Sequence, residues 1–194
     1  AETFSEMKVA GKVKHFGTSN HYIGHRNSLQ TQCTKHNITL VTNEIEVSVW
    51  NPSYMNYNSD LVDDSVSQGY RILGWGVLGG DPIGGLNRLF DRHGKRQTKI
   101  HHALKKAGKD LNEEDETVVA LSWVLAHPSG IIPLIGTTKV DRVTNLLRAF
   151  DLVDLFESNI KTWWSVGSAG GLCVLADTQC NYKDYMAYND FPDE

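Results

Sequence analysis

The chain holds 194 residues, 40% of them hydrophobic and 22% charged, which fits an ordinary globular domain with a sizeable core and excludes a disordered chain. A formal net charge of −4 argues against a dedicated nucleic-acid binder. No apolar run approaches the ~20 residues that a bilayer-crossing helix needs, and no signal-peptide pattern opens the chain. The first residue is Ala1 rather than Met, so a segment upstream is expected to have been removed. The odd cysteine set, Cys33, Cys173 and Cys180, reads as free thiols in a reducing compartment, cytoplasm or organelle interior. Cys173 and Cys180 have no second pair beside them, which speaks against zinc.

Glu2 to Ala10 reads as a helix stopped by Gly11. Val13 to Phe16 is a short strand that hands over Ser19 and Asn20 just before a helical pattern from about Tyr22 to Lys35. Thr39 to Val47 is β-branched and partly alternating, hence a second strand, and Asn51-Pro52 breaks it. A helix from about Asp60 to Gln68 ends at Gly69, and Tyr70 to Trp75 forms a third strand. A glycine-rich loop, Gly76 to Gly85, precedes a helix from about Thr98 to Lys109. Asn112 is expected to cap the next helix, with Glu113, Glu114 and Asp115 in its first turn and Val118 to Leu125 as its apolar body.

Ile131 to Ile135 is a fourth strand, apolar enough to be covered on both faces. Thr138 and Asp141 are expected to form a capping box for a helix over Lys139 to Phe150, and a last helix runs from about Glu157 to Val166. Alternation of this kind predicts an α/β fold with four parallel strands and covering helices over residues 1–166. The tail, residues 167–194, is rich in Gly, Asn, Asp and Tyr, with Tyr182, Tyr185, Tyr188 and Phe191 spaced through it, and is expected to be extended over a surface.

Strand ends followed by helix starts are where such folds place ligands. Ser19 and Asn20 suit an amide group on a ligand, or else a cap on the following helix. Glu44 and Glu46 are two apart and share one face of a strand. Gly74 to Gly79 matches G-x-G-x-x-G, but no helix opens directly after it, so the Rossmann reading fails. A loop able to approach a ligand closely remains, with Trp75 as a ring that stacks on a flat group or fills the core. Gly136 to Arg142 joins a strand to a helix, with Lys139 and Arg142 one turn apart: a seat for a phosphate monoester, or simply a capped helix with exposed bases.

His21 and His25 lie four apart with no evident third ligand, so no metal is expected. His101 and His102 read as surface residues. The basic run Arg92, Lys95, Arg96, Lys99, Lys105, Lys106 and Lys109 reads as a solvated face.

Three blocks, Gly11 to Asn20, Thr42 to Glu46, and Ile131 to Thr138 with Arg142, resemble the aldo-keto reductase family over about Ala1 to Trp164. Family members are (β/α)8 TIM barrels that reduce carbonyls with NADPH bound at the carboxyl ends of the strands. The resemblance implies the C-terminal half of such a barrel, its last four βα units. Ser19, Asn20 and Glu44 would then hold the nicotinamide carboxamide and Trp75 would stack on the ring. Gly76, Leu78 and Gly79 would line the pyrophosphate, and Thr137, Thr138, Lys139 and Arg142 would take the 2′-phosphate.

Glu44 replaces a Gln found in many members; it accepts from an amide NH2 but cannot donate. Leu146 stands where the family often has an Asn near the adenine, with Asn145 adjacent. The family's catalytic Asp, Tyr, Lys and His lie upstream of the block that begins at Gly11, so no catalytic residue is assigned here.

A closed barrel needs eight strands and about 250 residues, so the chain is expected to pair with a second half-barrel, to dock in a larger assembly, or to be a piece of a full enzyme. Three functions follow: an NADP(H)-dependent carbonyl reductase portion acting on a small carbonyl substrate once completed, a non-catalytic structural subunit, or an NADPH sensor. Neither nucleic acid nor membrane insertion is expected.

Overall fold

The computed structural model describes residues 1–52, 61–80, 89–90 and 94–172. Asp60, the loop from Asp81 to Gly85, Arg92, Cys173, Cys180 and the tyrosine-rich tail lie outside the described residues.

The first helix, α1 (Glu2–Val9), stops as its sequence predicts. Gly11 takes φ +68°, and the Lys12 N–H closes back on Met7 O at 3.0 Å. β1 is Phe16–Ser19, three residues later than the expected Val13–Phe16. Packing sets this register. Phe16 stacks on Phe4 with ring centroids 4.4 Å apart, and Gly17 lets β1 lie tight against the next strand. A Cβ on Gly17 would come within 2.0 Å of Thr42 Oγ1.

Then follow α2 (Ile23–Thr34), β2 (Leu40–Glu46), α3 (Leu61–Gln68) and β3 (Arg71–Trp75). Helix α4 (Lys95–Asp110) begins a turn earlier than its periodicity suggests. Asn112 does not cap α5 (Glu116–Leu125). It sits at φ +56° in the turn that ends α4, and Asp115 is the cap, its Oδ1 accepting the Thr117 N–H at 2.8 Å.

β4 is only Ile132–Pro133, and it is not covered on both faces. Ile132 is 46% and Leu134 37% exposed, while Ile131, pointing the other way, is buried in the core. Helix α6 (Val140–Leu146) has no capping box. Lys139 is its N-cap without a side-chain bond, and Thr137 Oγ1 instead accepts the Lys139 N–H at 3.2 Å. A 3₁₀ turn (Leu147–Leu152), α7 (Val153–Ser158) and α8 (Ile160–Gly170) complete the described chain, so the last helix runs past the expected Val166.

The sheet order is β1-β2-β3-β4, every pair parallel, with Ser19 opposite Glu44, Glu44 opposite Leu73, and Leu73 opposite Ile132. Crossover helices are what parallel neighbours require. Strand parity then decides each face. Ile45, Val47 and Ile72 are fully buried among Leu61, Leu104, Val119 and Trp123, while Glu44 and Glu46 stay half-buried on the opposite face. Trp123 and Trp163 stack with centroids 5.1 Å apart, and each indole N–H donates to the other's carbonyl at 2.9 Å.

Two expected surface residues prove to be tied down. Arg96 is not merely solvated: its Nη2 donates to Trp50 O and to Gly170 O (2.7 Å), and the guanidinium lies 4.5 Å over the Trp50 ring. This ties α4 to the end of α8 and to the segment after β2. His101 is no free surface residue either. It bonds Glu116 and meets Phe90 edge to face, centroids 5.6 Å apart.

Arg26 is buried beneath β2, its Nη2 donating to Leu40 O at 2.9 Å while the guanidinium lies 3.4 Å over the Tyr70 ring. Burial lowers its pKa, and burial raises that of Tyr70, whose hydroxyl donates to Asp64. Among the described residues no helix is long and apolar enough to cross a membrane, and Cys33 is a buried free thiol.

Candidate functional site

Glu44 on β2, Trp75 at the end of β3, and Thr137 and Arg142 beyond β4 leave the sheet at the same end, the carboxyl end of its strands. They surround a cleft of about 490 Å³, within the ~300–1,000 Å³ usual for small-molecule sites. Gly76 and Leu78 line it as well, and Leu134, Ile135 and Leu146 give it an apolar wall. Six of the eleven residues singled out by sequence, Glu44, Trp75, Gly76, Leu78, Thr137 and Arg142, are therefore brought together.

Among the described residues the lining includes no Tyr, Lys or His, so Glu44 and Arg142 are its ionisable groups. Five other expected residues stand outside this lining. Ser19 and Asn20 do not cap α2 (its N-cap, Tyr22, makes no side-chain cap bond) but turn toward β2 and β3. Gly79 packs inward: at φ +73° its Cβ position lies 2.8 Å from Leu89 Cβ, so this turn accepts little but glycine. Its N–H closes the turn on Gly76 O at 2.7 Å, and Gly76 itself takes φ +63°. Thr138 and Lys139 are exposed beside the Thr137 and Arg142 end of the cleft.

One link joins the strand ends directly. The Trp75 indole Nε1 donates to Asn20 Oδ1 at 3.2 Å, spanning β2. Asn20 sits at φ +53° with its backbone N–H on Glu44 O at 2.8 Å. Behind it lies Asn43, fully buried, which sequence reasoning missed. Its Oδ1 accepts from Thr18 Oγ1 at 2.9 Å and its Nδ2 donates to His21 O at 2.8 Å, fastening both ends of the loop that carries Ser19 and Asn20. The available signal was parity: Asn43 shares the apolar face of Ile45 and Val47, where an unpartnered amide would be costly.

At the other end, Asn145 cannot replace a polar group in the position of Leu146. Its Nδ2 donates to Asp115 Oδ2 at 2.7 Å, while Leu146 faces the cleft. Burial pushes the Asp115 carboxyl up, but hydrogen bonds from Thr117 and Asn145 outweigh it and leave the pKa below the usual value. The His21 and His25 rings meet edge to face, centroids 6.4 Å apart, and the described residues include no group of three or more potential metal ligands.

The residue types could stack on a planar ring and pair with an anionic group. A flat indole stands at one end, a glycine turn that tolerates close approach lies beside it, and a hydroxyl and a guanidinium stand at the other. Glu44 offers only acceptors to a carboxamide.

The aldo/keto reductase family model matches residues 1–167. The oxidoreductase YdhF of Escherichia coli (strain K12) is 31% identical over 150 residues, covering 77% of this chain and 46% of that protein. The 6-dehydroglucose reductase of Agrobacterium fabrum is 32% identical over 139 residues, 71% of this chain and 41% of its own. The uncharacterized oxidoreductase YcsN of Bacillus subtilis is 27% identical over 153 residues.

The crystal structure of the thermostable aldo-keto reductase Tm1743, in complex with the inhibitor epalrestat, superposes with a TM-score of 0.60 at 15% identity. The match covers 81% of this chain and 52% of that one, so the likeness is one of fold, with the four-stranded sheet matching a fragment of a TIM barrel. The chain spans about half the length of the curated relatives it matches. With strand order, cleft position and family match in agreement, the chain belongs to the aldo/keto reductase family.

Proposed function

We propose that this chain is the cofactor-holding portion of an NADP(H)-dependent carbonyl oxidoreductase, completed by residues outside it that carry the acid–base tetrad. The observation that carries the reading is the convergence of Trp75, Gly76, Glu44, Thr137 and Arg142 on one cleft at the carboxyl ends of the strands. NADPH bound there would supply the hydride that reduces a carbonyl carbon.

In this reading Trp75 stacks on the nicotinamide ring, and Ser19, Asn20 and Glu44 face its carboxamide. Gly76, Leu78 and Gly79 shape the turn against the pyrophosphate. Thr137, Thr138, Lys139 and Arg142 hold the 2′-phosphate. Arg142 suits that task because a guanidinium pairs two phosphate oxygens at once. The described lining residues include no Tyr, Lys or His, and in this reading the tyrosine acid stands elsewhere in the completed enzyme.

The same reading names the partner: a second set of strands beside β1 and β4, each of which has one neighbour among the described residues. Ile132 and Leu134 expose apolar surface on the open face of β4, which closure of the barrel by such strands would cover. The small carbonyl substrate would enter between the two halves. A structural subunit without turnover shares this partner surface and differs in not binding NADPH.

The test is titration of the full chain with NADPH, followed by tryptophan fluorescence. Quenching is expected and should largely vanish in Trp75→Phe. Arg142→Ala is expected to weaken NADPH by roughly ten-fold or more, about 1.4 kcal/mol, while changing NADH affinity little. No quenching at millimolar NADPH would leave the structural subunit as the better reading.

A further inference from the structure

We propose that Asn20 is a positioning residue for the Trp75 ring, a latch across β2 that sets the plane of the aromatic wall before any ligand arrives. Its consequence for binding rests on the dinucleotide reading above; the latch itself does not.

The indole N–H is a donor only, so the group it meets at 3.2 Å must be an oxygen, and the Asn20 amide orientation is thereby fixed. Asn20 holds a left-handed backbone, φ +53°, that asparagine tolerates better than most residues. Its own N–H is bound to Glu44 O, and Asn43 clamps Thr18 and His21 on either side of it. Four independent constraints therefore aim one amide oxygen at one indole. A half-exposed tryptophan at a strand end would otherwise choose among several rotamers. Ordering it in advance removes that cost from the binding step. In this chain one acceptor position of the Asn20 oxygen is thus taken by Trp75, and its NH2 remains to face a ligand.

The side chain can be removed without straining the backbone by Asn20→Gly, because glycine accepts the same φ. Asn20→Asp restores an acceptor oxygen. Indole N–H resonances of the five tryptophans read the latch without cofactor, with Trp75 assigned by its loss in Trp75→Phe. The Trp123 and Trp163 resonances report that the core is intact.

The Trp75 resonance is expected to move in Asn20→Gly and to return in Asn20→Asp. NADPH affinity is expected to fall roughly three- to ten-fold in Asn20→Gly, and by clearly less when the same change is made in Trp75→Phe, where only the contact from the Asn20 NH2 is left to lose. A Trp75 resonance unmoved by Asn20→Gly overturns the latch. So does an equal loss of affinity in both backgrounds, which would mean that Asn20 acts on the ligand directly. If the wild-type chain binds no NADPH, the functional reading fails while the resonances still decide the latch.

Discussion

Replacing Trp163 by Phe tests the packing that underlies the whole sheet. Just past the end of α5 the His127 N–H bonds Val124 O at 3.3 Å, while the Trp123 carbonyl accepts from the Trp163 indole at 2.9 Å. That indole therefore caps one of the carbonyls that a helix end leaves unpaired. Phenylalanine keeps a ring but cannot donate, and leaves the carbonyl buried without this partner, at about 1–3 kcal/mol. The smaller ring weakens a stack whose centroids lie 5.1 Å apart and whose worth is about 0.5–1.5 kcal/mol, and it opens space in a fully packed site. Together these come to about 1.5–4.5 kcal/mol. Urea titration followed by circular dichroism should show the midpoint falling with an unchanged slope, the signature of lost stability rather than of an altered unfolded state. A loss under about 0.5 kcal/mol would refute the reasoning, because it would mean that the carbonyl readily finds another donor.

Burial of His127 holds its pKa down at about 3 against an ordinary 6.5, so above pH 6.5 it is neutral in both folded and unfolded chains. As pH falls from 6.5 toward 3 the unfolded chain takes up a proton that the folded one refuses, and urea midpoints should drop with a slope approaching about 1.4 kcal/mol per pH unit from this group; His127→Gln should flatten that slope. The depressed Asp115 and Glu113 carboxyls add a loss of the same sign at lower pH, below their usual 3.8 and 4.5. Gly170→Ala would set a Cβ 1.7 Å from Val49 O and should cost more than about 2 kcal/mol in the same assay, by forcing α8 off the segment that follows β2.

Features written into neighbouring residues could be read directly. Gly11 and Gly69 stop their helices because their positive φ suits glycine, and the two-residue period of Asn43 to Val47 puts Glu44 on the face opposite the core. Features that depend on a distant partner could not. The β1 register follows from Phe16 stacking on Phe4 and from Gly17 meeting Thr42. The choice between Asn112 and Asp115 as a cap is reinforced by Asn145, thirty residues on, which bonds Asp115. Arg96 reads as one more surface base until α8 brings Gly170 O to it. Within the site, residue types at strand ends pointed to the cleft, whereas the Asn20 to Trp75 bond joins positions 55 apart and leaves no local trace.

The two walls of the cleft are not held equally. The Trp75 wall hangs from β3, paired along its whole length with β2 and packed on the main core. The Arg142 wall hangs from β4, two residues long, one of them a proline with no N–H to give. Its register with β3 spans only two residue pairs, aided by Leu134 N–H on Gly74 O at 2.8 Å. A ligand that bridges the walls would therefore grip one side that fewer strand hydrogen bonds hold, and any ordering it imposes there would count against binding. Strands added to the free edge of β4 would meet that cost in advance, and closure of the barrel by them would also bury Ile132 and Leu134. Completion of the sheet and grip on the cofactor are thus expected to strengthen together, and by linkage NADPH should in turn favour association with the completing strands.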